Sequence, residues 1–275
     1  MPDPSDAFAR DGFLAMPGLL SAAEIAALNA EAQTVCSRDT ALGAPDIADV
    51  LAIHFPHKLS TLMRDAMAHP AVVPVLTAVM GPNVKCVQSM FFVKNAGKPG
   101  QAWHQDEAFI PTRDRSLTAA WIALDDATVE NGCLWVIPDS HRSGVLWPTR
   151  RHDDPEFDAN VTAYDFPYPD EAAVPVEVPA GGVVFFNGYL LHRSLRNRAK
   201  SGFRRALVFH YMRAESLLPW TCGGRVQPTQ DNRDIVLVAG QDPYAWKGAV
   251  DQHSAFLRRE AVGQGPHLTR PDTGR

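Results

Sequence analysis

The hydrophobic pattern of this chain changes its period near Val84, and that change constrains the fold more than any other feature. Before it, apolar residues recur mostly at helical spacing. After it, short runs rich in β-branched and aromatic residues follow one another, separated by glycine, proline and asparagine. Such runs are typical of β-sandwiches and jelly rolls. We therefore expect a mainly β protein with flanking helices.

Six of these runs are predicted as strands: residues 86–93, 118–124, 133–137, 174–178, 183–186 and 205–212. The segment before them is predicted to be helical. Ser21 and Glu24 have the spacing of a capping box, so a helix is expected to begin there. A second helical pattern covers residues 59–80.

We expect a single domain over residues 1–275, because β-barrels and sandwiches of this size occur as one unit. Its expected parts are a helical region at about 1–82, a barrel at about 84–215 and a C-terminal extension at about 220–275. Residues 39–57 are expected to be irregular. The weakly patterned residues 139–173 are expected to form a long loop, which in a compact domain is usually a lid, a binding loop or disordered.

Composition argues against several classes of protein. The net charge is −5 and no basic stripe is present, so a nucleic-acid binder is not expected. No apolar run approaches the ~18 residues of a membrane span, and the first residues lack the features of a signal peptide. The four cysteines lie far apart, so we expect reduced thiols and a cytoplasmic protein. Its expected partner is a small-molecule substrate, and its expected state is a monomer or a homodimer.

Three residues could form a metal site: His104, Asp106 and His192. Residues two apart on a strand point to the same side, so His104 and Asp106 can face one ion. His192 follows the run 183–186 and a turn, and a jelly roll brings such strand ends together at its mouth. Two imidazoles and one carboxylate leave one face of an Fe(II) ion open for oxygen and a co-substrate. Because the chain has ten histidines, a His-x-Asp pair alone does not establish the site.

Several ordered motifs surround these residues. They are QSM at 88–90, WHQD at 103–106, WIALDDAT at 121–128, ENGCLWVIPDSH at 130–141, HRS at 192–194 and GFR at 202–204. In these motifs and in their order the chain resembles the phytanoyl-CoA dioxygenase family of Fe(II)- and 2-oxoglutarate-dependent oxygenases. The resemblance covers roughly residues 5–215.

The resemblance implies a double-stranded β-helix, which is a jelly-roll or cupin-like barrel with helices packed outside. It implies His104, Asp106 and His192 as ligands of Fe(II), with 2-oxoglutarate and O2 as co-substrates. It also implies that Arg204 holds the distal carboxylate of 2-oxoglutarate, a task that suits the planar fork of an arginine. Arg205 should face the opposite way, because adjacent side chains on a strand alternate.

Further contacts to 2-oxoglutarate are expected at Ser194, Lys58, Met90, Trp121, Gln88 and Gln105. Ser194 matches a family position that helps to hold the carboxylate. Gln88 is included because it shares a strand face with Met90. Gln105 lies between two expected ligands, where its side chain should face away from the metal.

The implied reaction hydroxylates an unactivated C–H bond of a small or medium metabolite and releases succinate and CO2. Asp106 fills the carboxylate position of the triad, which leaves no coordination site for a halide, so hydroxylation is expected rather than halogenation. Many family members have glycine at the positions of Arg193 and Asp139. These departures remove no ligand, and they bear on the shape of the substrate pocket.

Two other functions are open on the sequence alone. One is a metal-dependent cupin-type enzyme, a hydrolase or a dioxygenase, that does not use 2-oxoglutarate and in which Arg204 would be dispensable. The other is a non-catalytic jelly-roll binding module, which would have no need of all three metal ligands.

Overall fold

Two antiparallel sheets face each other and share a hydrophobic core. The computed structural model describes residues 4–38, 46–158, 161–216, 235–249 and 254–259. The helices are α1 (Pro4–Asp11), α2 (Ala22–Arg38), α3 (Thr61–Asp65) and α4 (Val73–Met80). The strands are β1 (Phe13–Met16), β2 (Val50–His54), β3 (Val84–Asn95), β4 (Gln101–His104), β5 (Thr118–Ala123), β6 (Leu134–Val136), β7 (Thr149–Arg151), β8 (Val161–Ala163), β9 (Val174–Val176), β10 (Val183–Asn187), β11 (His192–Ser194), β12 (Phe203–Arg213), β13 (Val236–Ala239) and β14 (Phe256–Arg259).

The major sheet has eight strands, in the order β1-β10-β5-β12-β3-β2-β14, with β13 paired to the other end of β3. The minor sheet has the order β4-β11-β6-β9. Successive strands alternate between the two sheets from β3 to β6 and again from β10 to β12. The jelly-roll, or double-stranded β-helix, fold predicted from the sequence is confirmed. No helix in the described ranges is long and apolar enough to cross a membrane.

Alternation along the long strands separates two cores. On β3, Phe91 and Val93 point outward into a core shared with the helices. Phe92 points inward, into a core formed between the two sheets. Met90, on the same inward face, lines the cavity described below. One face of the major sheet is thus covered by helices, while the other encloses the cavity.

The capping box at Ser21 is present, because the Ser21 backbone N–H and hydroxyl both donate to the Glu24 carboxylate at 2.7 Å. The expected helical region also contains two strands of the major sheet, β1 and β2. Both are apolar runs of four or five residues, too short for periodicity to separate strand from helix.

Two expected loop regions also contain strands. The segment 139–173 includes the β7–β8 hairpin, and the C-terminal extension supplies β13 and β14 to the major sheet. Cys222 and residues 39–45 of the expected irregular segment lie outside the described residues. The sheet therefore extends beyond the barrel limits predicted from the sequence.

Candidate metal centre

Antiparallel pairing of two short strands brings the three expected metal ligands together. His104 ends β4, and Asp106 begins the single turn of 3-10 helix that follows it. His192 begins β11 and lies directly opposite His104 in the β4–β11 pair. Ligands separated by 88 positions in the chain thus become cross-strand neighbours.

The geometry of the triad suits a metal ion. Oδ1 of Asp106 lies 3.6 Å from Nε2 of His104 and 3.6 Å from Nε2 of His192. One donor atom from each of the three residues falls within 4.8 Å of the others. The Nδ1 atoms face the backbone carbonyls of Ala102 and Leu190, at 2.7 and 3.0 Å. This contact assigns the proton to Nδ1 and leaves each Nε2 as a metal donor.

The charge state of the triad also suits a metal. Burial, and then the neighbouring His192, lowers the pKa of His104 to about 3, so its imidazole is neutral at pH 7. Burial opposes the ionisation of Asp106, but the surrounding imidazoles of His192 and His210 outweigh it and hold the pKa of this carboxyl below its usual value. A neutral imidazole beside an ionised carboxylate is the state that binds a divalent cation. The residues present therefore fit the ion that the resemblance implies.

A cavity of about 430 Å³ opens beside the triad. Its lining includes all three triad residues and five of the residues expected to contact 2-oxoglutarate, which are Gln88, Met90, Trp121, Ser194 and Arg204. Most of the remaining lining is apolar, with Phe92, Leu134, Phe186 and Val208 among its residues. The volume is that of a small-molecule site.

Arg204 is a buried cation without an anion. Within the described part of the chain it forms no ion pair, and its Nε has no hydrogen-bond partner. Its guanidinium carbon lies 5.3 Å from the centroid of the Trp121 ring. Arg205 faces the other way and binds Asp125 through two bonds of 2.8 and 2.6 Å. The alternation expected along β12 thus directs Arg204 alone into the cavity.

Lys94 is a second cation at this end of the cavity, and it lies opposite Arg204 in the β12–β3 pair. Its Nζ donates to the carbonyls of Gly132 and Leu195, at 3.2 and 2.6 Å, and to Oγ of Ser194 at 2.9 Å. Three acceptors match the three N–H groups of an ammonium. Burial, and then the charge of Arg204, lowers the pKa of Lys94 well below its usual value.

The hydroxyl of Ser194 is left with one direction in which to donate. Its Oγ accepts from Lys94 and also from the backbone N–H of Gln101, at 3.2 Å. Both lone pairs are then used, so the O–H proton requires an acceptor elsewhere. Ser194, Lys94 and Arg204 together form what we call the anion cluster.

Two expected contacts lie elsewhere. Lys58 is not part of the cavity lining, and its Nζ lies 5.0 Å from the centroid of the Phe55 ring. Gln105 faces away from the triad, as expected for a residue between two ligands. Its amide donates to the carbonyls of Val145 and Tyr189, and its oxygen accepts from the backbone N–H of Trp147. Gln105 thus anchors the long segment 139–173 behind the metal centre.

Two polar residues of the centre were not predicted as contacts. Lys94 shares the inward face of β3 with Met90, so strand alternation could have identified it. His210 shares the inward face of β12 with Arg204, so the same alternation could have identified it. Its Nε2 lies 3.1 Å from Oδ2 of Asp106.

Another part of the cavity wall comes from the edge of the major sheet and from the segment 139–173. Arg258 on β14 donates to Oδ2 of Asp158 at 2.6 Å. Nε of Arg258 and Oδ1 of Asp158 are buried, and neither has a hydrogen-bond partner among the described residues. His54 on β2 stacks on Phe256, with ring centroids 4.2 Å apart. No local sequence signal predicts this wall, because it is assembled by long-range pairing.

Comparisons with known proteins agree with this geometry. The family model described as Phytanoyl-CoA dioxygenase (PhyH) matches residues 8–206. Phytanoyl-CoA dioxygenase 1 of Oryza sativa subsp. japonica is 34% identical over 164 residues, which is 59% of this chain and 57% of the rice protein. The chain thus spans little more than half the length of that relative.

Solved structures share the fold. The non-heme monooxygenase ThoJ, in its apo form, superposes with a TM-score of 0.71 at 24% identity and covers 94% of this chain and 89% of its own. EvdO2 from Micromonospora carbonacea var. aurantiaca, solved in complex with 2-oxoglutarate, has a TM-score of 0.62 at 23% identity. The match covers 90% of this chain and 96% of EvdO2. With the extent of the family-model match, the conclusion is plain: this chain belongs to the phytanoyl-CoA dioxygenase family.

Proposed function

We propose that this protein is an Fe(II)- and 2-oxoglutarate-dependent dioxygenase. It hydroxylates an unactivated C–H bond of a small or medium metabolite and releases succinate and CO2. The observation that carries the proposal is the anion cluster, which lies in the same cavity as a His–Asp–His triad. A keto-diacid needs both features, because one end chelates a metal while the other is a free carboxylate.

His104, Asp106 and His192 would hold the iron through Nε2, one carboxylate oxygen and Nε2. When bound, the iron and 2-oxoglutarate supply the oxidative chemistry, in which one atom of O2 enters the substrate and the other enters succinate. The three protein ligands leave the remaining coordination positions open on the cavity side. The triad fixes the position of the chemistry, and the rest of the cavity determines what reaches it.

The anion cluster would hold the distal carboxylate of 2-oxoglutarate. Arg204 offers a planar fork of N–H donors, and Ser194 offers an O–H whose oxygen is already saturated by other donors. Lys94 adds positive charge behind both. Burying Arg204 and Lys94 without an ion-pair partner among the described residues costs free energy, and a carboxylate that binds them would offset part of that cost.

Apolar side chains keep water away from the centre. Trp121, Phe186 and Val208 line the cavity between the triad and the anion cluster. A low-dielectric lining strengthens each charge interaction inside it and protects reactive species from side reactions. These residues act by excluding solvent and by packing against the co-substrate.

The part of the cavity wall that contains Asp158 and Arg258 suits a neutral polar substrate. Asp158 and Arg258 line the cavity as an ion pair that neutralises both charges. A hydroxyl or an amide can hydrogen-bond to such a pair without adding charge, whereas a carboxylate would meet the Asp158 charge.

Anaerobic spectroscopy tests the chemistry. Adding Fe(II) and then 2-oxoglutarate to the protein without oxygen should produce a metal-to-ligand charge-transfer band. Arg204→Ala should weaken 2-oxoglutarate binding in this titration, whereas Arg205→Ala, on the outer face of the same strand, should not. A metal enzyme that does not use 2-oxoglutarate would bind Fe(II), give no band and tolerate Arg204→Ala. A binding module without catalysis would lack the metal affinity as well.

Succinate formation tests the substrate class. The protein with Fe(II), 2-oxoglutarate and O2 is incubated with a panel of neutral hydroxylated or amide metabolites, carboxylates and acyl-CoA thioesters. We expect a neutral polar compound to raise succinate formation above the rate without substrate, with a product 16 mass units heavier, the mass of one added oxygen. Stimulation by acyl-CoA thioesters alone would contradict the proposed substrate class.

A further inference from the structure

The two oxygens of Asp106 have different surroundings. Oδ1 faces Nε2 of both His104 and His192, at 3.6 Å each. Oδ2 lies 3.1 Å from Nε2 of His210. We infer that His210 is a positioning residue that holds Oδ2, so that Asp106 offers a single oxygen, Oδ1, to the metal. The inference rests on the metal role proposed above for the triad.

The direction of this hydrogen bond follows from the chemistry of its partners. An ionised carboxylate only accepts hydrogen bonds, so Nε2 of His210 is the donor. In the neutral ring Nδ1 is then an unprotonated acceptor. Nδ1 is buried and has no hydrogen-bond partner in the described part of the chain. The tautomer is therefore set by Asp106, since no other contact selects it.

The backbone keeps His210 in place. It lies on β12, inside the major sheet, with Gln88 of β3 and Ala119 of β5 opposite it. Its side chain is only 6% exposed, so the ring has little space in which to rotate to another position. The pairing with β3 shifts register immediately after it, between His210 and Tyr211. Such irregularities are common beside active sites, where they redirect a side chain.

Each of the three metal ligands is thus oriented by a hydrogen bond at the atom that does not face the metal site. His104 and His192 bind backbone carbonyls through Nδ1, which orients each ring. Asp106 has no such ring nitrogen, and His210 supplies the corresponding contact from a neighbouring strand. A carboxylate free to rotate could bind through both oxygens and occupy a coordination position that 2-oxoglutarate or O2 needs. Outer contacts of this kind typically change metal affinity by about 10–100-fold when they are removed.

Cobalt binding tests the inference without using turnover. Co(II) is titrated into the metal-free protein, and its d–d absorption reports both affinity and coordination number. We expect His210→Leu to weaken Co(II) binding by about 10–100-fold and to alter the d–d spectrum. His210→Gln retains an amide donor at similar reach, so it should restore most of the affinity and the original spectrum. Leu207→Val, a small change to a buried apolar residue on the opposite face of the same strand, is the control and should bind Co(II) normally.

Each outcome is informative. If His210→Leu binds Co(II) within twofold of the unmodified protein and with the same spectrum, the inference is wrong while the proposed function stands. If the unmodified protein does not bind Co(II) at all, the proposed metal site itself fails. Should His210→Leu not fold, His210→Asn, whose amide is too short to reach Oδ2, takes its place against His210→Gln. Equal affinity in that pair would overturn the inference.

Discussion

Replacing Lys94 by methionine separates a co-substrate role from a structural one. Methionine has nearly the length of lysine but no charge and no N–H. The variant loses the contact to Ser194 Oγ and one of the two cations of the anion cluster. A hydrogen bond that involves a charged group contributes about 1.5–3 kcal/mol. At about 1.4 kcal/mol per tenfold change, the Kd for 2-oxoglutarate should rise by about 10–100-fold.

The stability of the protein without 2-oxoglutarate should change much less. Three hydrogen bonds from the ammonium are lost, which destabilises the fold. Burying the ammonium, however, costs several kcal/mol, and that cost disappears with the charge. Because these contributions oppose each other, we expect the free energy of unfolding to change by less than about 2 kcal/mol.

Lys85 provides a matched control at the other end of β3. It is fully buried as well, but its Nζ lies 3.3 Å from Asp242, far from the anion cluster along the strand. Lys85→Met should lower stability and leave the affinity for 2-oxoglutarate unchanged. Anaerobic titration of the charge-transfer band measures affinity, and urea unfolding measures stability. The reasoning is refuted if Lys94→Met binds 2-oxoglutarate normally and loses as much stability as Lys85→Met.

Three further predictions test other parts of the structure. Arg205→Met, which breaks a partly exposed pair with Asp125, should lower stability by about 1 kcal/mol in urea unfolding and leave 2-oxoglutarate affinity unchanged. His54→Gln should reduce the loss of stability that the protein shows in urea unfolding between pH 6.5 and 5. Gly100→Ala should cost at least about 2 kcal/mol in thermal unfolding, because the added Cβ would clash with the backbone oxygen of Ser194.

The sign of the His54 prediction follows from proton linkage. Burial, and then the charge of Arg258, lowers the pKa of His54 from 6.5 to about 4. Between these two pKa values His54 binds a proton in the unfolded chain but not in the folded protein. The free energy of unfolding therefore falls as the pH decreases from about 6.5 towards about 4. An unchanged pH dependence in His54→Gln would contradict this account.

For Gly100, the control is Gly97→Ala, whose Cβ meets no atom within 4 Å but whose φ of +81° is unfavourable for alanine.

Local rules account for the parts of the site that the sequence predicts. Side chains alternate along a strand. His104 and Asp106 are two residues apart at a strand end and are therefore expected to point to the same side, whereas Arg204 and Arg205 are adjacent and are expected to point to opposite sides. Lys94 escapes prediction because a lysine is rarely fully buried, and nothing adjacent in the chain reveals its three acceptors. The sequence predicts the pairing of His104 with Asp106 because they are neighbours in the chain, whereas the choice of His192 depends on the expected meeting of strand ends and on the resemblance to the family.

Long-range pairing accounts for what the sequence does not predict. The pair formed by Asp158 and Arg258 joins residues 100 positions apart, and the strand that carries Arg258 is four residues long. A run of four residues, two of them apolar and two basic, is too short to predict an element. Lys58 has the residue type expected at the co-substrate site, but the turn at Pro56–Lys58 directs it towards Phe55 instead.

Strand β11 has a consequence for how the protein selects its co-substrate. Its first residue is a metal ligand and its third belongs to the anion cluster, and Arg193 between them faces the opposite way, towards Trp103. Two residues of extended backbone span roughly 7 Å. The spacing between the two ends of a bound diacid would therefore depend on main chain that pairs with both β4 and β6, with a shift of register against β4 between His192 and Ser194. This backbone distance would change little when side chains fluctuate. A diacid one carbon shorter or longer would then match either the metal ligands or the anion cluster, but not both.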